Sequence, residues 1–305
     1  MVVVARPSSV IAAREYAMTM TTVNFDSDGV RLAGDLYLPD TASGPVPAVT
    51  MGPGFGGVKE ILFPPYCEAL AKAGIAVLSF DYANFGASDG EPRQHMDLDA
   101  QQRGYRHALD YLASRDDIDA DRLGVFGSSM SGGHALGLAS SDRRVRSTVV
   151  LIPFTGLDLS AQPAELVTAM EEAAKKMAAG EKPQMIASVG HPGDFAAMTT
   201  DGAWDWHERQ AANAPSYRNE VTLASLWNLA NYHPGEHLAD ITTPVHAVLA
   251  TDDAITPAAA AREALSPIAD VDIVEIPQTH FELFDDHLQE TIDLTTRWFT
   301  TDFGL

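Results

Sequence analysis

The chain has a single cysteine, Cys67, in 305 residues. No intrachain disulfide can form, so the composition does not call for an oxidising compartment, and a cytoplasmic setting is the expectation. Basic residues are scarce: 20 Lys and Arg stand against 42 Asp and Glu, a formal net charge of −22. A surface of that sign repels phosphate backbones and anionic lipid headgroups, so nucleic acid and membrane are not expected partners. No apolar run approaches the ~20 residues that span a bilayer. Met1 to Ala17 is interrupted by Arg14 and Glu15 and lacks the continuous apolar stretch of a signal peptide. It reads as an N-terminal extension, assigned to residues 1–19, with Met18 or Met20 as alternative starts.

What remains is an ordinary globular balance, 46% hydrophobic and 20% charged. The length suits one large α/β domain or a core with an inserted subdomain. Thr21 to Phe25 and Val30 to Leu38 flank Asp28-Gly29 and read as a hairpin. Short apolar runs at Val46–Met51, Ile75–Phe80, Leu123–Phe126 and Val145–Ile152 read as strands buried on both faces. Helical patterns separate them. Pro64 and Pro65 open one ending near Lys72; Asp97 caps another, with Leu98, Tyr105, Leu109 and Leu112 on one stripe. From 154 to 238 no strong strand signal appears, and Ala164–Ala178 and Val221–Ala230 read as helices. Alternation then resumes with strand Val245–Ala250, helix Pro257–Leu265, strand Val271–Ile276 and helix Asp285–Phe299. The pattern predicts an α/β fold with a mostly parallel sheet, its core formed by 20–153 and 239–305, interrupted by a helical cap at 154–238.

The chemistry concentrates where apolar runs end. Leu123-Gly124-Val125-Phe126-Gly127-Ser128-Ser129-Met130-Ser131-Gly132-Gly133 is a strand, a tight turn with small flanks and a helix start, which is what a nucleophile elbow needs. Ser129 falls directly after the strand; Ser131, also flanked by small residues, is the rival nucleophile. The strand Val245–Ala250 runs into Asp252-Asp253, where Asp253 is the favoured acid and Asp252 its rival. His280 follows the strand Val271–Ile276. Three strand ends thus deliver Ser129, Asp253 and His280 in the order serine, acid, histidine. An oxyanion hole needs two backbone N–H groups. Met130 supplies one, and Gly54-Phe55-Gly56-Gly57, after Val46–Met51, supplies the other through Phe55.

These segments resemble the α/β-hydrolase family. The glycine loop usually reads His-Gly-x-Gly, and here Pro53 takes the histidine position. Ser129-Met130-Ser131-Gly132 is similar to the elbow of the X-Pro dipeptidyl-peptidase and cocaine-esterase branch, and the dienelactone-hydrolase-like branch is a further likeness. Asp253 to Pro257 resembles the family's acid loop and Thr279-His280-Phe281 its histidine loop. The resemblance implies a serine hydrolase acting on a carboxylic ester, lactone or thioester, with neither metal nor organic cofactor. Its partner is a small ester-like molecule, with a homodimer left open. Phe195, Trp204, Trp206, Tyr217 and Trp227, all in the insertion, are expected to line the acyl site; the tryptophans serve equally well as the insertion's own core.

Several residues read as structural. His134 lies in the helix after the elbow and His287 within the last helix, while Asp81, Asp89 and Arg93 read as loop-fixing ion pairs. Gly52-x-Gly54-x-x-Gly57 matches a dinucleotide fingerprint, but no helix opens at once behind it. His233-Pro234-Gly235-Glu236-His237 matches a zinc pattern, but Pro234 and Gly235 break the helix that pattern requires. The alternatives to hydrolysis are a lyase, cyclase or acyltransferase on the same residues, or a nicotinamide-dependent oxidoreductase.

Overall fold

The computed structural model describes residues 17–40 and 44–305. Residues 1–16 of the expected extension lie outside the described residues, and its remainder is shorter than expected, because the first strand already begins at Met18. Strands β1 (Met18–Ser27) and β2 (Val30–Pro39) form the hairpin around Asp28-Gly29, both of which adopt positive φ as a tight turn demands. β3 (Val46–Met51), α1 (Pro64–Lys72) and β4 (Ala76–Phe80) follow. Next come α2 (Leu98–Ala113), whose cap Asp97 accepts from the Ala100 N–H, and β5 (Ile118–Ser128). α3 (Met130–Ser141) and β6 (Val145–Leu151) complete the first half.

The inserted segment contains α4 (Ala164–Ala178), β7 (Met185–Val189), β8 (Ala196–Met198), α5 (Ala203–Ala211), β9 (Val221–Thr222) and α6 (Leu223–Ala230). The chain then rejoins the large sheet through β10 (Val245–Ala250), α7 (Ala258–Leu265) and β11 (Val271–Ile276). It ends in α8 (Leu283–Asp286) and α9 (Leu288–Phe303).

The eight strands of the main sheet run in the order β1-β2-β4-β3-β5-β6-β10-β11. β1–β2 and β2–β4 are antiparallel, and every other pairing is parallel. Side chains alternate across the pleat. In β4, Ala76, Leu78 and Phe80 enter one apolar layer, shared with Tyr105 and Leu109 of α2, while Val77 enters the other, shared with Tyr66 of α1 and Phe299 of α9. A sheet buried on both sides in this way reads as continuous apolar runs, which is why the strands are visible as such.

Two expectations change. The insertion is not purely helical: β8-β7-β9 form a three-stranded sheet. β8 has three residues and β9 two, too short for any period to show in the sequence. Val221 and Thr222, expected in a helix, belong to that sheet, and the Thr222 hydroxyl caps α6 by accepting from the Ser225 N–H. The last helix also starts later than expected, at Leu288. His287 precedes it and its Nδ1 pairs with Glu290, so it sits at the helix start rather than inside it.

Candidate active site

The elbow is strained and held. Ser129 has φ 55° and ψ −121°, a sparsely populated conformation for a residue with a Cβ. The surroundings over-determine it. Its N–H donates to the Leu151 carbonyl at the end of β6 (2.9 Å), and its own carbonyl accepts from Gly132 (3.0 Å) and Phe154 (2.8 Å). The flanking glycines are obligatory by contact: a Cβ on Gly127 would lie 2.0 Å from the Ser131 carbonyl oxygen, and one on Gly132 2.8 Å from Pro153 Cα.

Ser131 is fully buried. Its hydroxyl accepts from the Ser128 N–H (2.8 Å) and donates to the Ser128 carbonyl (2.9 Å), so it braces the turn. Ser129 instead lines a cavity of about 60 Å³, and His280 lines the same cavity. The His280 Nδ1–H donates to Asp253 Oδ2 at 2.7 Å; a carboxylate partner fixes this tautomer and leaves Nε2 with its lone pair. Asp253 also accepts from the Ile255 and Thr256 N–H groups and from the Thr256 hydroxyl. Burial pushes its carboxyl upward, but the His280 hydrogen bond and charge, with those amides, outweigh burial and hold it below the usual carboxylate range. Asp252, its neighbour, faces solvent.

Pro53, Gly54, Phe55 and Gly57 line the cavity opposite. A Cβ on Gly54 would lie 3.8 Å from Ser129 Cβ, which places this loop against the elbow. Met130 opens α3, so its N–H has no partner within the helix and lies at the positive end of the helix dipole. With Pro53 in place of histidine, tyrosines support the loop. The Tyr105 hydroxyl accepts from the Gly52 N–H (2.7 Å) and donates to the Phe126 carbonyl (2.9 Å), and the Tyr82 hydroxyl donates to the Pro53 carbonyl (3.1 Å). Asp81 anchors the loop's far end by accepting from the Lys59 N–H (2.8 Å). Burial raises its carboxyl to about 6 against the pull of that amide, of Ala87 and of the Lys59 ammonium. Asp89 pairs with Arg31, whereas Arg93 donates to the carbonyls of Ser88 and Gly86 and forms no ion pair among the described residues.

Among the five aromatic residues expected to line the acyl site, Trp206 does so, packed against Phe281 (5.4 Å between centroids) and Phe284 (6.0 Å). The other four do not line this cavity. Phe195 is 69% exposed. Trp204 packs against His191 (ring centres 4.9 Å apart, planes tilted by 36°), and Tyr217 packs against His207 (6.1 Å). Trp227 packs against the apolar layer that holds Tyr105 and Leu109 of α2 and Leu136 of α3. Ile61, Leu62, Phe63 and Met198 line the cavity without having been expected there, as does His207, which no sequence motif marks. Phe281, adjacent to His280, is the one lining residue that position alone could have flagged.

His134 is fully buried, its Nδ1 2.7 Å from the Tyr232 hydroxyl and its Nε2 3.1 Å from Gln101 Oε1; burial pushes it down to about 3, so it is a neutral structural residue. His233 to His237 form a turn, with His237 in a left-handed conformation (φ 65°), so the helix a zinc pattern requires is missing there. Among the described residues no three His, Cys, Asp or Glu side chains cluster as metal ligands. Between Gly57 and α1 the chain turns through Val58–Phe63, so the glycines open no dinucleotide-binding helix. Among the described residues no helix is long and apolar enough to cross a membrane.

Comparison with known proteins agrees with this architecture. The chain is 28% identical over 268 residues to Quorum-quenching protein AidA of Acinetobacter baumannii, covering 86% of this chain and 88% of that protein. It is 32% identical over 243 residues to Thiohydrolase aneE of Aspergillus aculeatus, covering 75% and 76%. The structure of DcsB in complex with its substrate analogue superposes with a TM-score of 0.83 at 22% identity, covering 94% of this chain and all of that one, a likeness of fold. Residues 51–294 match the Alpha/beta hydrolase family, and the chain belongs to that family.

Proposed function

We propose that the protein is a serine hydrolase that cleaves a carboxylic ester or thioester through an acyl-enzyme. One observation carries the reading: Ser129, on a strained and braced strand end, shares a cavity with His280, whose tautomer Asp253 fixes. In this reading Ser129 Oγ attacks the substrate carbonyl while His280 Nε2 takes its proton. Asp253 stays ionised and stabilises the imidazolium. The amides of Phe55 and Met130 receive the oxyanion, a contribution of about 3–4 kcal/mol per donor in comparable sites. His280 then protonates the departing alcohol or thiol, water attacks the acyl carbon with His280 again as base, and the acid leaves. A cavity walled largely by apolar side chains strengthens each of these charge interactions.

The relative named a thiohydrolase supports a thioester among the candidate substrates. The test is labelling by a fluorophosphonate together with turnover of p-nitrophenyl acetate and an acyl thioester. Wild-type protein is expected to label once per chain. Ser129→Ala should abolish the label and lower kcat at least ~10⁴-fold. Turnover undiminished in Ser129→Ala overturns the acyl-enzyme mechanism.

A further inference from the structure

A second histidine faces the cavity, and it comes from the inserted segment. His207 lies on α5, is 7% exposed and lines the cavity that holds Ser129 and His280. Both histidine rings meet the same aromatic wall edge-on: His207 is 5.3 Å from the Phe281 ring centre and His280 5.0 Å from it. His207 differs in how it is held. Its Nδ1 lies 2.9 Å from the carbonyl of Ala203, one turn back on the same helix. A carbonyl only accepts, so Nδ1 carries the proton and Nε2 carries the lone pair. Nε2, the atom farther along the side chain, has no hydrogen-bond partner among the described residues.

Burial keeps the ring neutral, pushing it down to about 4; the Ala203 carbonyl opposes that shift, and the nearby His280 adds to it. At neutral pH His207 is therefore too weak a base to stand in for His280. It is a fixed acceptor, set among the apolar side chains of Ile61, Leu62, Phe63 and Met198. The ring lines the cavity, so a substrate that fills the cavity strips water from Nε2, and an acceptor left dry without a donor costs free energy. The same apolar walls penalise a charged donor.

Resting on the serine-hydrolase reading, we propose that His207 is a specificity-determining residue whose Nε2 selects acyl groups bearing a neutral hydrogen-bond donor, an O–H or an amide N–H, near the scissile carbonyl. A substrate lacking the donor leaves the acceptor dry and unpaired in the transition state, and the penalty appears in kcat/KM.

The experiment uses N-acetylcysteamine thioesters in matched sets: an unsubstituted acyl chain, its 2- and 3-hydroxy forms and its 3-acylamino form, followed by thiol release. Wild-type protein is expected to favour at least one donor-bearing form over the unsubstituted chain tenfold or more. The hydroxy and acylamino arms show which donor is meant. His207→Phe keeps a flat aromatic ring but removes the acceptor, and should bring that ratio to within about twofold of one. His207→Gln keeps an acceptor and should restore part of the preference. A residue that only packs α5 would lower all substrates in parallel and leave the ratio unchanged. Fluorophosphonate labelling of each variant separates the outcomes. A labelled wild type with no preference, or a preference that survives in labelled His207→Phe, overturns the role of His207. A wild type that neither labels nor turns over any thioester overturns the serine-hydrolase reading and this inference with it.

Discussion

Two serines two residues apart, Ser129 and Ser131, should respond to removal of the hydroxyl in opposite ways. Ser131→Ala removes the acceptor for the Ser128 N–H (2.8 Å) and the donor to the Ser128 carbonyl (2.9 Å), in a residue with no solvent exposure to supply water instead. Leaving a buried N–H without a partner costs about 1–3 kcal/mol, and losing the second bond adds about 0.5–1.5 kcal/mol. A loss of roughly 2–4 kcal/mol is therefore expected, read as a fall of several degrees in Tm. Fluorophosphonate labelling, however, should survive wherever the protein remains folded. Ser129→Ala should do the reverse. Its backbone conformation is held by bonds from Leu151, Gly132 and Phe154 that do not involve the hydroxyl, so its stability should stay within about 1 kcal/mol of wild type while the label disappears. The two proteins are compared by thermal melt and by intact-mass labelling under identical conditions. A Ser131→Ala protein with unchanged Tm and no label would make Ser131 the nucleophile and refute the assignment of its hydroxyl as a brace.

Three further outcomes follow from the same geometry. Asp253→Asn removes the charge that orients His280 Nδ1–H and stabilises its imidazolium, so kcat should fall about 10³–10⁴-fold with KM little changed, measured on a p-nitrophenyl ester. Gly127→Ala places a Cβ 2.0 Å from a backbone oxygen that no side-chain rotation can relieve; a loss beyond about 3 kcal/mol is expected, seen by circular dichroism melting, and a normal melt would show that the turn can shift. His134 is held down at about 3 by burial, so between its unfolded value of about 6.5 and 3 the unfolded chain binds the extra proton. Its contribution is complete above about pH 6.5 and is lost as the pH falls toward 3, on the order of 3–5 kcal/mol in total. Urea midpoints measured from pH 7 to 4 should fall more steeply for wild type than for His134→Gln.

How much of this was legible in the sequence depends on what each feature obeys. The interior strands are buried on both faces, so a continuous apolar run announces them whatever their neighbours are; Val46–Met51 and Val245–Ala250 have the bounds expected of them, as does the edge strand Val271–Ile276, in which only Ile276 is buried and Asp272 and Glu275 are exposed. Chain order and the parallel topology then bring the ends of β5, β10 and β11 to one edge of the sheet, so Ser129, Asp253 and His280 could be selected by position alone. Support for the glycine loop was not legible. Tyr82 and Tyr105 reach it through hydroxyls from distant elements, and nothing local to either residue signals a bond to Gly52 or Pro53.

The insertion obeys a different constraint. Its short strands and helices bury their faces against the core and against each other, so which side chain meets the cavity is decided by how each element docks. The helical period nonetheless limits the choice. Trp204 and Trp206 lie two apart on one helix, and a helix turns about 100° per residue, so their side chains point about 200° apart and cannot share one wall. At most one of the pair can face a given cavity, whichever way α5 docks. Trp206 meets the cavity while Trp204 turns away to His191. Aromatic content alone therefore overstates what a helix offers to a substrate, and the polar residue carried round to the cavity beside the inward aromatic is the better clue. Here that residue is His207, whose proton is fixed by a carbonyl of its own helix; it gives an otherwise apolar cavity wall an acceptor with a defined direction.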